Sequence, residues 1–369
     1  MTDDHLEQPE DDNHLPEAHP FSGYLRTFFR GPGRSRSLTR EEAFEAFSMI
    51  LRDEVEPIQL GAFLLMLRYR AETPEELAGM IEAVRKAARL ELDDESLIPE
   101  KCHPMLDWPS YAAGRSRGLP WFVLSAMLLS RNGIPVLMHG YNSHLTNGVS
   151  TEVAVKTLKL PLAMSADEAR SDIASKGFAY LPLRHIHPKL QELIGLRPLL
   201  GLRSPVNTLL RLLNPLQARA AFLGVFHPAF LDVHRETGKL LELPRIGVIK
   251  GGGGEAERTP FKHVDLRMLD NGELSDVRWP ALLARTEKDD EDNSPMTLQH
   301  FMAVWRGEVE DSAAIARIKG SAAMGAFLAG KADYMDCLLY PSDDADDLPR
   351  AATGGALVVP LPRHDMHSP

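Results

Sequence analysis

The sequence predicts an α/β protein with a helical domain at its N-terminal end, and three observations predict it. Helix-opening capping devices recur between residues 21 and 90. From residue 106 to 148 the order is polar loop, apolar run, turn and short β-type run, the grammar of one α/β unit. Further on, residues 243–250 read as a strand that runs straight into Gly251, Gly252, Gly253 and Gly254.

A chain of 369 residues exceeds one small core and fits an acidic tail over residues 1–20, a helical domain over 21–95 and an α/β domain over 96–369. A later helical segment is a candidate to join the helical domain. Hydrophobic content of 44% and charged content of 25% are ordinary for a globular protein. The longest apolar run, residues 121–129, is far short of the roughly 20 residues a membrane helix needs, so no membrane partner is expected. The first twenty residues are acidic and lack a leader's apolar segment. Together with two cysteines, Cys102 and Cys337, this predicts a cytoplasmic protein with reduced thiols.

Taken in order, the tail is polar and punctuated by Pro9, Pro16 and Pro20, the signature of disorder. Thr39 with Glu42 forms a capping box opening a helix over 41–51, and Thr73, Pro74 and Glu76 repeat the device. Between them, residues 58–68 are almost wholly apolar, as expected of a helix buried on most sides. Such a bundle is suited to pairing with a second copy, so a homodimer is expected. Residues 119–130 predict a buried helix and 134–138 a strand, flanked by loops at 109–118 and 139–148. Ser165 with Glu168 opens a helix that ends near Gly177, and residues 179–183 read as a strand. Residues 298–306 and 313–328 read as amphipathic helices, and 356–361 as a strand.

In open α/β sheets ligands sit where strands end and loops begin. The two loops therefore supply the first ligand- or phosphate-binding candidates: Ser110, Tyr111, Arg115 and Arg117, then His139, Gly140, Asn142, Ser143 and Thr146. His139 is placed to donate to an anion or to act as a general base, unless it is a satisfied structural histidine. The glycine run, with Lys250 beside it, frees backbone N–H groups for a phosphate, and four glycines equally make a plain turn. Glu255 and Glu257 would hold Mg²⁺ if the protein is enzymatic. No Ser-His-Asp pattern, Walker loop, GxGxxG motif or zinc spacing occurs.

The net charge of −11 is uneven. Arg26, Arg30, Arg34, Arg36 and Arg40 form one basic run; Arg184, Lys189, Arg197, Arg203, Arg211 and Arg219 form another, set against Glu192. Local positive potential of this kind suits a polyanion such as single-stranded DNA or RNA, unless the arginines pair with acids elsewhere in the fold. Trp108 and Tyr111 are candidates to stack a base, whereas Trp121 belongs to the core.

Ordered motifs then resemble a family. Leu38-Thr39-Arg40-Glu41-Glu42-Ala43, Gln59-Leu60-Gly61-Ala62-Phe63-Leu64, Leu67-Arg68 and Glu72-Thr73-Pro74-Glu75-Glu76 resemble the helical domain of anthranilate phosphoribosyltransferase and its nucleoside-phosphorylase relatives. His139-Gly140, His187-Pro188, Leu200-Gly201-Leu202-Arg203, Asn207, Leu213-Asn214-Pro215-Leu216 and Gly224-Val225-Phe226-His227-Pro228 are similar to the motifs that follow. The resemblance spans roughly residues 21–339 and implies a helical domain, a large α/β domain with a central mixed sheet, and a homodimer.

The departures carry the functional expectation. The family's glycine-rich loop for phosphoribosyl pyrophosphate (PRPP) is matched to Asp107-Trp108-Pro109-Ser110-Tyr111, which replaces glycines with bulk. Its Lys-His-Gly-Asn becomes Met138-His139-Gly140-Tyr141, and its paired Asp-Glu for Mg²⁺ falls on Ala256-Glu257. Arg197, where the family contacts the anthranilate carboxylate, is retained. This pattern resembles the divergent YbiB-type branch, which implies nucleic-acid binding in a basic groove. The alternative is an active phosphoribosyl or other pentosyl transferase with an altered donor or acceptor, taking a phosphorylated small molecule.

Overall fold

The computed structural model describes residues 18–29, 34–90, 105–111, 118–141, 149–284 and 295–332. Arg30, Arg115, Arg117, Asn142, Ser143, Thr146, both cysteines, the acidic tail to residue 17 and the expected strand at 356–361 lie outside the described residues.

The helical domain comprises α1 (Ser22–Phe29), α2 (Arg40–Leu51), α3 (Pro57–Arg70) and α4 (Pro74–Ala87). Both capping boxes form. Thr39 Oγ1 accepts from the Glu42 N–H at 3.2 Å while the Glu42 carboxylate accepts from the Thr39 N–H at 2.9 Å, and Thr73 and Glu76 repeat the exchange. Glu76 uses its other oxygen to accept from the Leu38 N–H at 2.9 Å, pinning the entry of α2 to α4. The expectation that residues 58–68 are buried on most sides is corrected. Only Phe63, Leu64 and Leu67 of α3 are buried, and Ile58 and Tyr69 are 82% and 86% exposed. The reason is packing: α2 and α4 pack on each other, and α3 lies beside α1 with a single face turned inward.

The α/β domain is built on one seven-stranded sheet of β1 (Leu106–Ser110), β2 (Val136–Gly140), β3 (Phe178–Pro182), β4 (Ala220–Val225), β5 (Arg245–Lys250), β6 (Val264–Asp270) and β7 (Glu273–Trp279). Its spatial order is β3-β2-β1-β4-β5-β6-β7, with β1 to β5 parallel and β6 and β7 antiparallel, so the sheet is mixed. Ten further α-helices occur among the described residues: α5 (Trp121–Arg131), α6 (Thr151–Thr157), α7 (Ala166–Lys176), α8 (Leu183–Ile186), α9 (Pro188–Gly195), α10 (Arg197–Leu200), α11 (Val206–Leu209), α12 (Phe230–Leu240), α13 (Leu298–Trp305) and α14 (Ser312–Leu328). Successive side chains of a strand point to opposite faces, so β4 feeds two cores. Ala221, Leu223 and Val225 join the core shared with the helical domain, and Ala220 and Phe222 join the one under α5 and α14. Among the described residues no helix is long and apolar enough to cross a membrane.

Two corrections follow from β1. Residues 106–110 are strand throughout, because Leu106 to Ser110 pair in register with Val136 to Gly140, so the loop begins at Tyr111 and not at Pro109. Trp108 is fully buried against Phe222, with ring centroids 4.9 Å apart, and Tyr111 is fully buried as well, so neither is a base-stacking platform. Trp121 belongs to the core, stacked on Phe301.

Candidate functional site

The chain adds strands leftward from β1 to β3, then crosses back to place β4 on the other side of β1. This reversal opens a crevice at the carboxyl ends of β1 and β4, the place where open α/β sheets take ligands. Ser110 and Tyr111 end β1, Phe226 and His227 follow β4, and the glycine turn follows β5. The segment from α10 through residue 212 brings the signature side chains across this end. Between it, the tip of α3 and α12 lies a cavity of about 370 Å³.

Three arginines define the cavity. Arg68, from α3, donates to the carbonyls of Arg203 and Ser204 at 2.8 Å each, to Thr208 Oγ1 at 3.3 Å, and pairs with Glu72 at 3.0 Å. It fastens the helical domain to the crevice. Arg211 is buried, donating to the Tyr111 carbonyl at 3.1 Å and to that of Asn207; burial pushes its pKa down to about 10 against the pull of Glu255. Arg203 differs. Its guanidinium lies 5.4 Å over the half-exposed Phe226 ring and has no acid or hydrogen-bond partner among the described residues. Burial, then the positive charges of Arg197 and Arg68, hold its pKa below the ordinary arginine value.

A buried polar layer lies beneath. Ser110 Oγ donates to Glu255 Oε1 at 2.9 Å and lies 2.7 Å from Thr151 Oγ1. Tyr111 OH lies 2.8 Å from His139 Nδ1, and His139 Nε2 faces Asp107 at 3.3 Å. His139 is thus fully buried between two partners, a satisfied structural histidine, which corrects its assignment as an anion donor or general base. Gly140 is required by packing, since a Cβ there would stand 2.2 Å from the Ser110 carbonyl oxygen.

The glycine turn folds back on itself. The N–H groups of Gly254 and Glu255 donate to the Gly251 and Gly252 carbonyls, and that of Gly251 to Val225, so the expected row of phosphate donors is partly consumed. Gly253 and Gly254 have φ of +66° and +94°, and a Cβ on Gly251 would stand 1.5 Å from the Glu255 carbonyl oxygen. Lys250 is exposed at the strand end. Glu257 accepts the Phe122 N–H at 3.1 Å in the first turn of α5 and faces Arg317 at 4.0 Å, while Glu255 turns to Ser110. The two carboxylates serve different partners, and no group of three metal-ligating side chains occurs among the described residues.

The basic runs separate in space. Arg36 is bidentate to Glu42 at 2.6 and 2.7 Å, and Arg184 to Glu152 at 2.9 and 3.0 Å, which draws the Glu152 pKa down to about 2. Arg211 is internal, which corrects its assignment as a surface phosphate contact. Arg26 and Arg34 are exposed, and Arg197 is half-buried beside Arg203. The structure therefore gathers Arg203, Arg211 and Arg197 and leaves Arg26, Arg34, Arg36 and Arg184 elsewhere.

Residue-by-residue reading missed Arg68, Phe226, Phe230 and His234 as cavity residues. Arg68 and Phe226 sit in motifs that mark the fold, and nothing in their spacing announces a shared wall. His234 is 1% exposed, with Nδ1 donating to the Phe230 carbonyl at 2.7 Å. Burial foremost, then Arg211, lowers its pKa from 6.5 to about 3. The unfolded chain takes up a proton below about 6.5 that the folded chain refuses until about 3. Stability from this group is full above that window and is lost as pH falls through it. Urea unfolding is expected to show this slope in the native chain and a flatter one in His234→Gln.

Comparison with known proteins places these features. Residues 23–88 match the helical bundle domain of a glycosyl transferase family, and residues 123–283 match its a/b domain. The chain is 29% identical over 254 residues to an anthranilate phosphoribosyltransferase of Idiomarina loihiensis, covering 68% of this chain and 71% of that one. It is 29% identical over 250 residues to that of Serratia proteamaculans, covering 68% and 73%. Among solved structures, the anthranilate phosphoribosyltransferase of Thermus thermophilus superposes with a TM-score of 0.69 at 24% identity, over 85% of this chain and 90% of that one. The Saccharomyces cerevisiae protein in complex with PRPP and Mg superposes at 0.67 and 16% identity, over 86% and 91%.

Proposed function

Since the chain belongs to this glycosyl transferase family, with the anthranilate-phosphoribosyltransferase fold, we propose that it has turned the family's crevice to binding single-stranded nucleic acid and does not transfer phosphoribose to anthranilate. The observation that carries the reading is Arg203, a cation over a half-exposed aromatic ring with no acid to neutralise it among the described residues. A planar guanidinium on a ring offers a face to a base and charge to a phosphate. The reading includes a PRPP loop disrupted where Ser110 and Tyr111 end β1, and kinship with the divergent YbiB-type branch. It also includes a homodimer formed through the exposed apolar residues Ile58, Leu65 and Tyr69 of α3.

Photocrosslinking a 4-thiouridine oligonucleotide to the full chain tests the reading. Adducts are expected in the peptides containing residues 197–211 and 225–234; adducts confined to other peptides contradict it. A pentosyl transferase with an altered donor or acceptor is the second reading, favoured by the crevice's place at the switch point and by the PRPP and Mg named for the yeast relative. Pyrophosphate release from PRPP with a panel of anionic acceptors, by the native chain and not by Arg203→Gln, would establish it.

A further inference from the structure

The basic mouth of the crevice and the acidic residues 1–17 complement each other in charge. Arg203 lies over Phe226, and the positive charges of Arg197 and Arg68 act on it. Exposed apolar side chains accompany it. Leu202 and Phe226, in the cavity wall, are 39% and 42% exposed, and Leu199 on α10 is 82% exposed. A face that pairs cations with apolar side chains suits a segment that pairs acids with apolar anchors. Residues 1–17 have that composition: Asp3, Asp4, Glu7, Glu10, Asp11, Asp12 and Glu17 occur there with no Lys or Arg, and Leu6 stands between Asp4 and Glu7. The acidic run at 287–292 is a weaker match, because Lys288 interrupts its acids.

The tether is short enough for the two to meet. Gln59 Nε2 donates to Ser22 Oγ at 3.2 Å and Phe21 packs on Phe63, so the chain enters beside the first turn of α3. Arg68 follows on the same helix, about 14 Å along its axis at the α-helical rise. Its guanidinium donates to the Arg203 carbonyl. An extended chain reaches about 3.3 Å per residue, so residues 1–17 span up to about 56 Å, well beyond that gap. Tethering at this range gives an effective concentration of about 1 mM, enough to populate even a weak contact. We propose that residues 1–17 occupy the mouth of the crevice in the free protein, their carboxylates against Arg203 and Leu6 against Leu202 and Phe226. A polyanion must displace them, so an anion of few charges is turned away and a strand with several phosphates is admitted. The contact stands apart from the nucleic-acid reading, and only its competition with a strand rests on that reading.

Phenylglyoxal, an uncharged reagent for guanidinium groups, tests the contact in the full chain without any ligand. The native protein is compared with a full-length variant in which the seven acids of residues 1–17 are replaced by Asn or Gln. Peptide mass spectrometry reads the modification of each arginine. Arg203 is expected to react about threefold faster in the variant at low salt, the gap closing near about 0.5 M salt as the charges are screened. Three results overturn the contact: equal rates at Arg203, a gain confined to the exposed Arg26 and Arg34, or release of Arg203 only when the acids of residues 287–292 are neutralised instead. A short single-stranded oligonucleotide should bind the variant about tenfold tighter than the native chain at low salt. Equal affinity for the two proteins overturns the competition and leaves the nucleic-acid reading standing. If neither protein binds the oligonucleotide while Arg203 is still released in the variant, the nucleic-acid reading falls and the tail contact stands.

Discussion

Replacing Arg203 with glutamate is expected to lower affinity for a single-stranded oligonucleotide by about a hundredfold, roughly 2.7 kcal/mol, with little change in melting temperature. The two halves of this expectation share a cause. The native guanidinium is held near Arg68 and Arg197 with no acid beside it among the described residues, so its removal breaks no ion pair with them. A bound phosphate loses an attractive charge and gains a repulsive one. Equilibrium titration and thermal melting of the same preparation measure both halves. A variant that melts early, or one that binds as the native chain does, contradicts the placement of the ligand at this mouth.

Trp108→Ala is expected to cost about 3–5 kcal/mol of stability, among the largest losses for a single side chain in this fold. Trp108 is fully buried in the second core, its ring edge-on to Phe222 and its far carbons close to the packing surface of α14 at Gly325. The cavity left by truncation cannot be closed by the rigid strands around it. Denaturant unfolding reads the loss directly. A nearly neutral effect on stability joined to weakened nucleic-acid binding would instead return Trp108 to the role of a stacking platform.

Much of the architecture was legible because local chemistry and global fold agree. Thr39 with Glu42, Thr73 with Glu76, and Ser165 with a helix ending at Gly177 all do in space what their spacing announces. The β5 strand and its glycine turn were legible as well, though the turn's packing role was not: Gly251 is demanded by the Glu255 carbonyl, a contact sequence alone cannot display. The Asn271-Gly272 hairpin between β6 and β7 carries a strong turn signal, with φ of +47° and +88°, and formed no part of the sequence-level expectation.

The site was less legible, for a physical reason. Residues read as one basic run diverge once α8 to α11 fold, so that Arg184 meets Glu152, Arg211 turns inward and Arg203 lies over Phe226 in the cavity wall. The aromatic partner of Arg203 comes from the end of β4, and the lining residues Asn207 and His234 come from α11 and α12. Such a wall is assembled from four separate segments and leaves no spacing to read.

The most direct test of the central claim is fluorescence anisotropy of a short labelled single-stranded oligonucleotide against the full chain across a salt series, repeated with PRPP and Mg²⁺ as competitor. Binding that weakens steeply with salt, as counterion release requires, and that PRPP does not displace is the predicted result. No oligonucleotide binding at low salt, together with thermal stabilisation by PRPP and Mg²⁺, would contradict it and return the crevice to transferase chemistry.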